Sequence, residues 1–205
     1  MKAAMVNATE KVEIRDVEEP VIKDDEVLIK VKTVGVCGSD LHLFQGTHAF
    51  RKPPAVLGHE VAGDIVKVGK NVTKFKLGDR VTVEPHLGCG TCEFCRQDLV
   101  NICLNKSAPG TPSWIGTFVE YFNAPEKTLY KLADGVSYDE GTPIEPLAVA
   151  VHALERASVQ PRACTFIPVF GPTGLLAPAV ARHMGSVTLL PPDTPASIRR
   201  TDLHQ

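Results

Sequence analysis

Four cysteines, Cys89, Cys92, Cys95 and Cys103, stand in this 205-residue chain at C-x2-C-x2-C-x7-C spacing. Thiolates at such short, turn-compatible intervals can converge on one tetrahedral ion, so the pattern predicts a structural zinc site. Gly88 and Gly90 let the backbone turn between the ligands. The bacterial ferredoxin run has three residues before its last cysteine and a proline after it. Here seven intervene and Leu104 follows Cys103, which argues against an iron–sulfur cluster. A nucleic-acid-binding ribbon needs a basic and aromatic face, and the lobe offers Arg96 and Lys106 alone. A second, looser set comprises Cys37, His59, Glu60 and Glu145. Thiolate, imidazole and carboxylate are all good zinc ligands. These four lie far apart in sequence, however, and read equally well as a small buried thiol and satisfied polar groups.

The elements that must position these groups are mostly strands. Lys11 to Arg15 alternates polar and apolar residues, the period of a half-buried strand, and Glu26 to Val34 is β-rich and alternates over much of its length. Residues 35–42 form a glycine-bracketed loop or short helical turn. Strand character returns over 61–69 and 77–83, and again over 117–122 and 128–132. Short strands with turn signals at this spacing predict a small antiparallel barrel or sandwich, with the cysteine lobe (88–103) as an excursion from it. Such a short lobe cannot bury enough apolar surface to order itself, which gives a metal its structural purpose. Ser137-x-x-Glu140 reads as a capping box opening a helix over about 138–157. A buried strand over 164–170, a glycine turn, an Ala-rich helix through Met184 and a strand over 187–190 then outline a nucleotide-binding βαβ unit. Seven of the sixteen prolines fall between 161 and 195, with Pro168 and Pro178 where proline costs most. The polar tail, 191–205, is expected to be disordered.

Composition narrows the classes. Basic and acidic residues nearly balance, 22 against 24, which gives no general reason to expect nucleic acid or a membrane surface as partner. No stretch is apolar and long enough to span a bilayer, and the N-terminus lacks the apolar run of a signal peptide. Six cysteines, four of them clustered, argue for a reducing compartment, so the cytoplasm is the expected location.

Gly58-His59-Glu60-x2-Gly63-x5-Gly69-x2-Val72 resembles the signature of zinc-containing medium-chain alcohol dehydrogenases. Gly35-Val36-Cys37-Gly38-Ser39-Asp40-Leu41-His42 resembles that family's first-ligand loop, and the four-cysteine lobe its structural zinc lobe. Residues 144–153, Ile-Glu-Pro-Leu-Ala-Val-Ala-Val-His-Ala, look most like the polyol (sorbitol) dehydrogenase branch. The resemblance runs continuously from residue 1 to about 160. It implies a mainly β fold: a GroES-like barrel with a structural zinc lobe over 1–158, followed by an incomplete α/β Rossmann segment over 159–190. It also implies two Zn2+ per chain and oxidation of a polyol or secondary alcohol to a ketone, with hydride transfer to NAD(P). Carried over by position, Cys37 and His59 hold the catalytic zinc, Glu60 is a direct or alternate ligand, and Glu145 holds the ion directly or through water. Ser39 and His42 match the proton-relay positions. His48, His86, His152, His183 and His204 are assigned no role. The full-length family implies a homo-oligomer acting on a small-molecule alcohol.

The cofactor motif departs from the family pattern. In Val169-Phe170-Gly171-Pro172-Thr173-Gly174 the second and third glycines, Gly171 and Gly174, are present, but Val169 occupies the first position. Asp193 is the one acid near the ribose-binding position. The chain then ends before the remaining Rossmann strands and the segment that returns to complete the catalytic domain. The expectation is a dehydrogenase N-terminal portion that is inactive alone. The alternative is a non-catalytic zinc-binding fragment that pairs with full-length subunits.

Overall fold

A computed structural model describes residues 1–167, 171–186 and 188–190. The chain divides into two compact units, with the boundary between Glu145 and Pro146.

The first unit is built of strands. β1 (Lys2–Ala8) is the middle of a three-stranded antiparallel sheet, between β2 (Lys11–Asp16) and a two-residue strand, treated below as β4. β3 (Glu26–Gly35) is followed by helix α1 (Gly38–Phe44), β4 (Ala55–Val56), β5 (Glu60–Val68) and β6 (Arg80–Val83). Helix α2 (Glu93–Arg96) lies in the cysteine lobe, and β7 (Tyr121–Pro125) and β8 (Leu129–Lys131) come after it. These give a five-stranded antiparallel sheet of order β7-β3-β5-β6-β8. An isolated bridge pairs Ala3 of β1 with Val119, two residues before β7. Ala3 and Val56 share one core with Val27, Ile29, Val61, Ile65, Val81, Val83, Phe122 and Leu129. Trp114 stacks on Phe122 at 5.5 Å and donates its indole N–H to the Asn123 carbonyl at 2.8 Å.

Three sequence expectations are corrected here. The alternation of β2 does not make it half-buried: Val12 and Ile14 are 47% and 68% exposed, because their face of the strand packs into neither core cluster of the first unit. The strand expected at 117–122 begins at Tyr121. The preceding residues bend between partners: Thr117 and Phe118 donate their N–H groups to Gly58 and Leu57, Ala4 donates to Phe118, Val31 of β3 donates to Glu120, and the register with β3 runs from Tyr121. The helix expected over 138–157 is two helices, α3 (Tyr138–Gly141) and α4 (Ile144–Arg156). Pro143 separates them, because it has no N–H with which to continue the ladder. The capping box at Ser137 and Glu140 is present.

The cysteine lobe leaves and re-enters the body through one bridge. Leu87 and Ser107 exchange both backbone hydrogen bonds at 2.9 Å. Within the lobe, a short turn of 3-10 helix, Val100–Ile102, delivers Cys103.

In the second unit, β9 (Cys164–Phe166) and β10 (Thr188–Leu190) pair in parallel, with Cys164 opposite Thr188, and α5 (Pro172–His183) lies between them in sequence. This matches the βαβ outline read from the sequence. Ala150, Leu154, Ile167, Ala177 and Ala181 form its core. Pro178 is accommodated inside α5. Pro168, Val169, Asp193 and the tail lie outside the described residues.

Candidate metal centres

Helix α1 brings the first ligand of the looser set into place. Cys37 is its N-cap. The Asp40 carboxylate accepts from the Cys37 N–H at 3.1 Å through Oδ2 and from the Gly58 N–H at 2.9 Å through Oδ1. Asp40 is 1% exposed, so this one buried acid ties the Cys37 loop to the segment carrying His59. Leu43, also buried, anchors the same helix against Val6 and Leu57. Gly58 has φ +92°, and a Cβ there would lie 2.4 Å from Thr117 Oγ1, so glycine is required on both counts. β5 starts directly after His59 and carries Glu60 at its first position, opposite Gly35 of β3.

The result is a cluster of three unlike donors. One ligand atom each from Cys37, His59 and Glu60 lies within 4.8 Å of the others. The charge pattern around them is uneven. A hydrogen bond from His59 lowers the Cys37 thiol, and the Ser39 N–H and hydroxyl add to this against burial. Burial works to lower His59, but Cys37, Asp40 and Glu145 outweigh it and raise the imidazole. Burial raises Glu60, opposed by His59 and reinforced by Asp40. Burial also raises Glu145, opposed by His59 and reinforced by Glu60 and Glu84. Several acids and a thiol thus surround one imidazole in a partly desolvated place, an arrangement that a dication would relieve. His59 Nδ1 is buried, has no hydrogen-bond partner, and sits 3.9 Å from Asp40 Oδ2. Glu145 stands outside the three-donor cluster but acts on His59 through its charge.

The lobe cysteines also converge. All four sulfurs lie within 4.8 Å of one another, and all are free thiols. Cys89 Sγ is 4.0 Å from Cys95 Sγ, and Cys92 Sγ is 3.8 Å from Cys103 Sγ. Sulfurs at tetrahedral corners about 2.3 Å from zinc stand about 3.8 Å apart, so the spacing fits that ion and is far too long for a disulfide. The Thr91 hydroxyl, with the backbone N–H groups of Thr91 and Cys92, pulls Cys89 down to about 5. Cys95 takes a lowering backbone bond from Gly90, yet desolvation and the neighbouring sulfurs push it up to about 12. Thiols lowered at Cys89 and Cys92 beside one raised at Cys95 are what metal binding would resolve, by deprotonating the rest.

Ser39 and His42 share α1. Ser39 helps to lower the Cys37 thiol, and His42 Nδ1 is 3.2 Å from Thr47 Oγ1. Gly171 caps α5 with φ +98°, and Gly174 is buried within that helix. The residue that sequence reasoning missed is Asp40. Its signal was available: Cys37-x-x-Asp40 has the N-cap to N3 spacing at which an acidic side chain reaches back to the N-cap N–H.

The profile of the alcohol dehydrogenase GroES-like domain matches residues 23–134, more than half of the chain. The chain belongs to this family. The sorbitol dehydrogenase of Bacillus subtilis (strain 168) is 42% identical over 197 residues, covering 94% of this chain and 56% of the relative. A probable D-xylulose reductase A of Aspergillus clavatus is 40% identical over 187 residues, covering 89% of this chain and 52% of its own length. Among solved structures, a zinc-binding dehydrogenase of Sinorhizobium meliloti 1021 bound to NADP superposes with a TM-score of 0.89. It is 32% identical over 97% of this chain and 58% of that one. The chain therefore spans about half the length of the curated relatives it matches. The mainly β architecture expected from the sequence is that of the GroES-like family.

Proposed function

We propose that this chain forms the zinc-binding portion of a dehydrogenase that oxidises a polyol or secondary alcohol to a ketone with NAD(P). The observation that carries the reading is the convergence of thiol, imidazole and carboxylate donors from Cys37, His59 and Glu60. A metal site that only holds a fold saturates the ion with protein ligands, as four thiolates would; three mixed donors leave a position for substrate. Its similarity to a sorbitol dehydrogenase and a D-xylulose reductase supports a polyol as substrate class.

Under this reading two zinc ions are bound per chain. Cys89, Cys92, Cys95 and Cys103 hold one, which orders the lobe. Cys37, His59 and Glu60 hold the other, with Glu145 reaching it directly or through water. Zinc at the second site would supply positive charge that makes an alcohol hydroxyl more acidic. The protein's part is to hold and orient. Asp40 fixes the Cys37 loop against the His59 segment. Ser39 favours the Cys37 thiolate and, with His42, carries the substrate proton to solvent. The nicotinamide cofactor would accept the hydride. Its pyrophosphate would lie at the Gly171 turn and the N-terminus of α5, with Gly174 allowing close packing. Residues 1–158 then act as the catalytic domain and 159–190 as part of the cofactor domain, in a cytoplasmic homo-oligomer.

Elemental analysis of the purified chain, with and without Cys37→Ala, tests the reading. Two zincs per chain falling to one is the expected result. One zinc that the substitution leaves unchanged would leave the lobe alone as a metal site.

A further inference from the structure

Gly35 faces Glu60 directly across the β3–β5 pair. A Cβ built on Gly35 would lie 1.9 Å from Glu60 Oε2, 2.9 Å from its Cδ and 3.0 Å from its Cβ. The three nearest atoms thus all belong to one side chain. Gly63 and Gly116 differ in this respect, because an added Cβ there would strike main-chain carbonyl oxygens at 2.3 and 2.2 Å. The backbone of Gly35 is not in the left-handed region, so its own conformation would accept alanine. Directly opposed residues of an antiparallel pair normally keep their Cβ atoms about 4.5–5.5 Å apart. Glu60 instead leans its carboxylate over the bare face of Gly35, into the space a side chain would fill. That placement puts its oxygen beside Cys37 and His59.

We propose that Gly35 is a positioning residue whose missing side chain is the space that lets the Glu60 carboxylate reach the Cys37 and His59 donors. This rests on the reading of those three residues as a metal site and adds a constraint on a fourth. The closest approach is to the flexible end of Glu60, so an alanine at 35 would displace the carboxylate, while the 3.0 Å Cβ–Cβ approach asks the strand pair to give slightly. The loss falls mainly on the metal site. Gly35 touches neither metal nor substrate and acts through Glu60.

Co2+ serves as the probe, with binding followed by chelator competition and visible absorption in the wild-type chain, Gly35→Ala, Glu60→Ala and the double variant. The expected result for Gly35→Ala is an unchanged four-thiolate site, a second site weakened tenfold or more, and a changed spectrum for that site. The melting temperature should stay close to wild type. In the double variant the second site should match Glu60→Ala alone, because the colliding carboxylate is gone and only the 3.0 Å approach to the Cβ at position 60 remains. Wild-type affinity and spectrum in Gly35→Ala would overturn the proposal, as would a Gly35→Ala effect that persists in full without Glu60. Should Gly35→Ala fail to fold, the double variant must fold, and its failure would also overturn it. Uptake of one ion by the wild-type chain would overturn the metal site itself and this role with it.

Discussion

The Asp40 carboxylate lies 3.9 Å from His59 Nδ1 while its two oxygens accept the N–H groups of Cys37 and Gly58. One buried acid therefore holds both the loop that presents the thiol and the segment that presents the imidazole. Asp40→Ala leaves two inward-facing N–H groups without an acceptor, each costing about 1–3 kcal/mol. A fall in unfolding free energy of roughly 2 kcal/mol or more is expected by urea denaturation, together with loss of one of the two metals by elemental analysis. A variant that keeps both stability and metal content would disprove the linkage.

The lobe should depend on metal more than the body does. It leaves the body through the Leu87–Ser107 bridge, and of its four cysteines Cys103 is buried while Cys89, Cys92 and Cys95 are half-buried. Stripping zinc with a chelator is expected to open residues 88–106 to protease while the strands stay protected, read by mass spectrometry of the fragments. Cys103→Ser should do the same without chelator. Cleavage spread evenly over the chain would show that the lobe and the body unfold together.

Phe122 is fully buried and stacked on Trp114, the chain's one tryptophan, which makes the core its own reporter. Phe122→Ala removes a large, fully buried side chain from the core of the first unit and should cost about 3–5 kcal/mol. Urea unfolding followed by Trp114 fluorescence measures it. A loss below 1 kcal/mol would mean that the two sheets do not share a tightly packed core.

Glu26 gives a pH dependence of definite sign. It is 4% exposed, and burial works against its charge. The Lys23 N–H, the Asn123 amide and the Lys23 ammonium outweigh that and hold its carboxyl below the usual 4.5. A depressed carboxylate contributes stability that is present above 4.5 and is lost as pH falls through the folded-state value beneath it. Glu26→Gln should therefore melt lower than wild type at pH 6, with the gap narrowing as the pH falls below 4.5. A gap that is constant or widens on acidification would contradict this assignment.

Much of the protein was legible in the sequence because its signals are local. Four thiols within fifteen residues can reach one ion whatever surrounds them, so Cys89 to Cys103 could be read as a metal lobe from spacing alone. Ser137 and Glu140 likewise state a helix start within four residues, and the structure has it. The antiparallel strands followed from alternation and turn residues, and the βαβ order of the second unit from a strand, glycine and helix succession.

Tertiary structure decided whatever depends on partners distant in sequence. Alternation marked Val12 and Ile14 as one face of a strand, but that face packs into neither core cluster of the first unit and they stay exposed. The run at 117–122 is apolar enough to be one strand, yet its residues serve two sheets in turn, a division no periodicity records. Cys37, His59 and Glu60 are donors of ordinary type, and only the pairing of β3 with β5, together with the buried Asp40 link, brings their ligand atoms within 4.8 Å. The space at Gly35 belongs to the same class: a glycine two residues before a cysteine, whose meaning depends on the carboxylate lying across the sheet. Local chemistry can be read along the chain, but a site assembled from separate strands exists only once register has set which residues face each other.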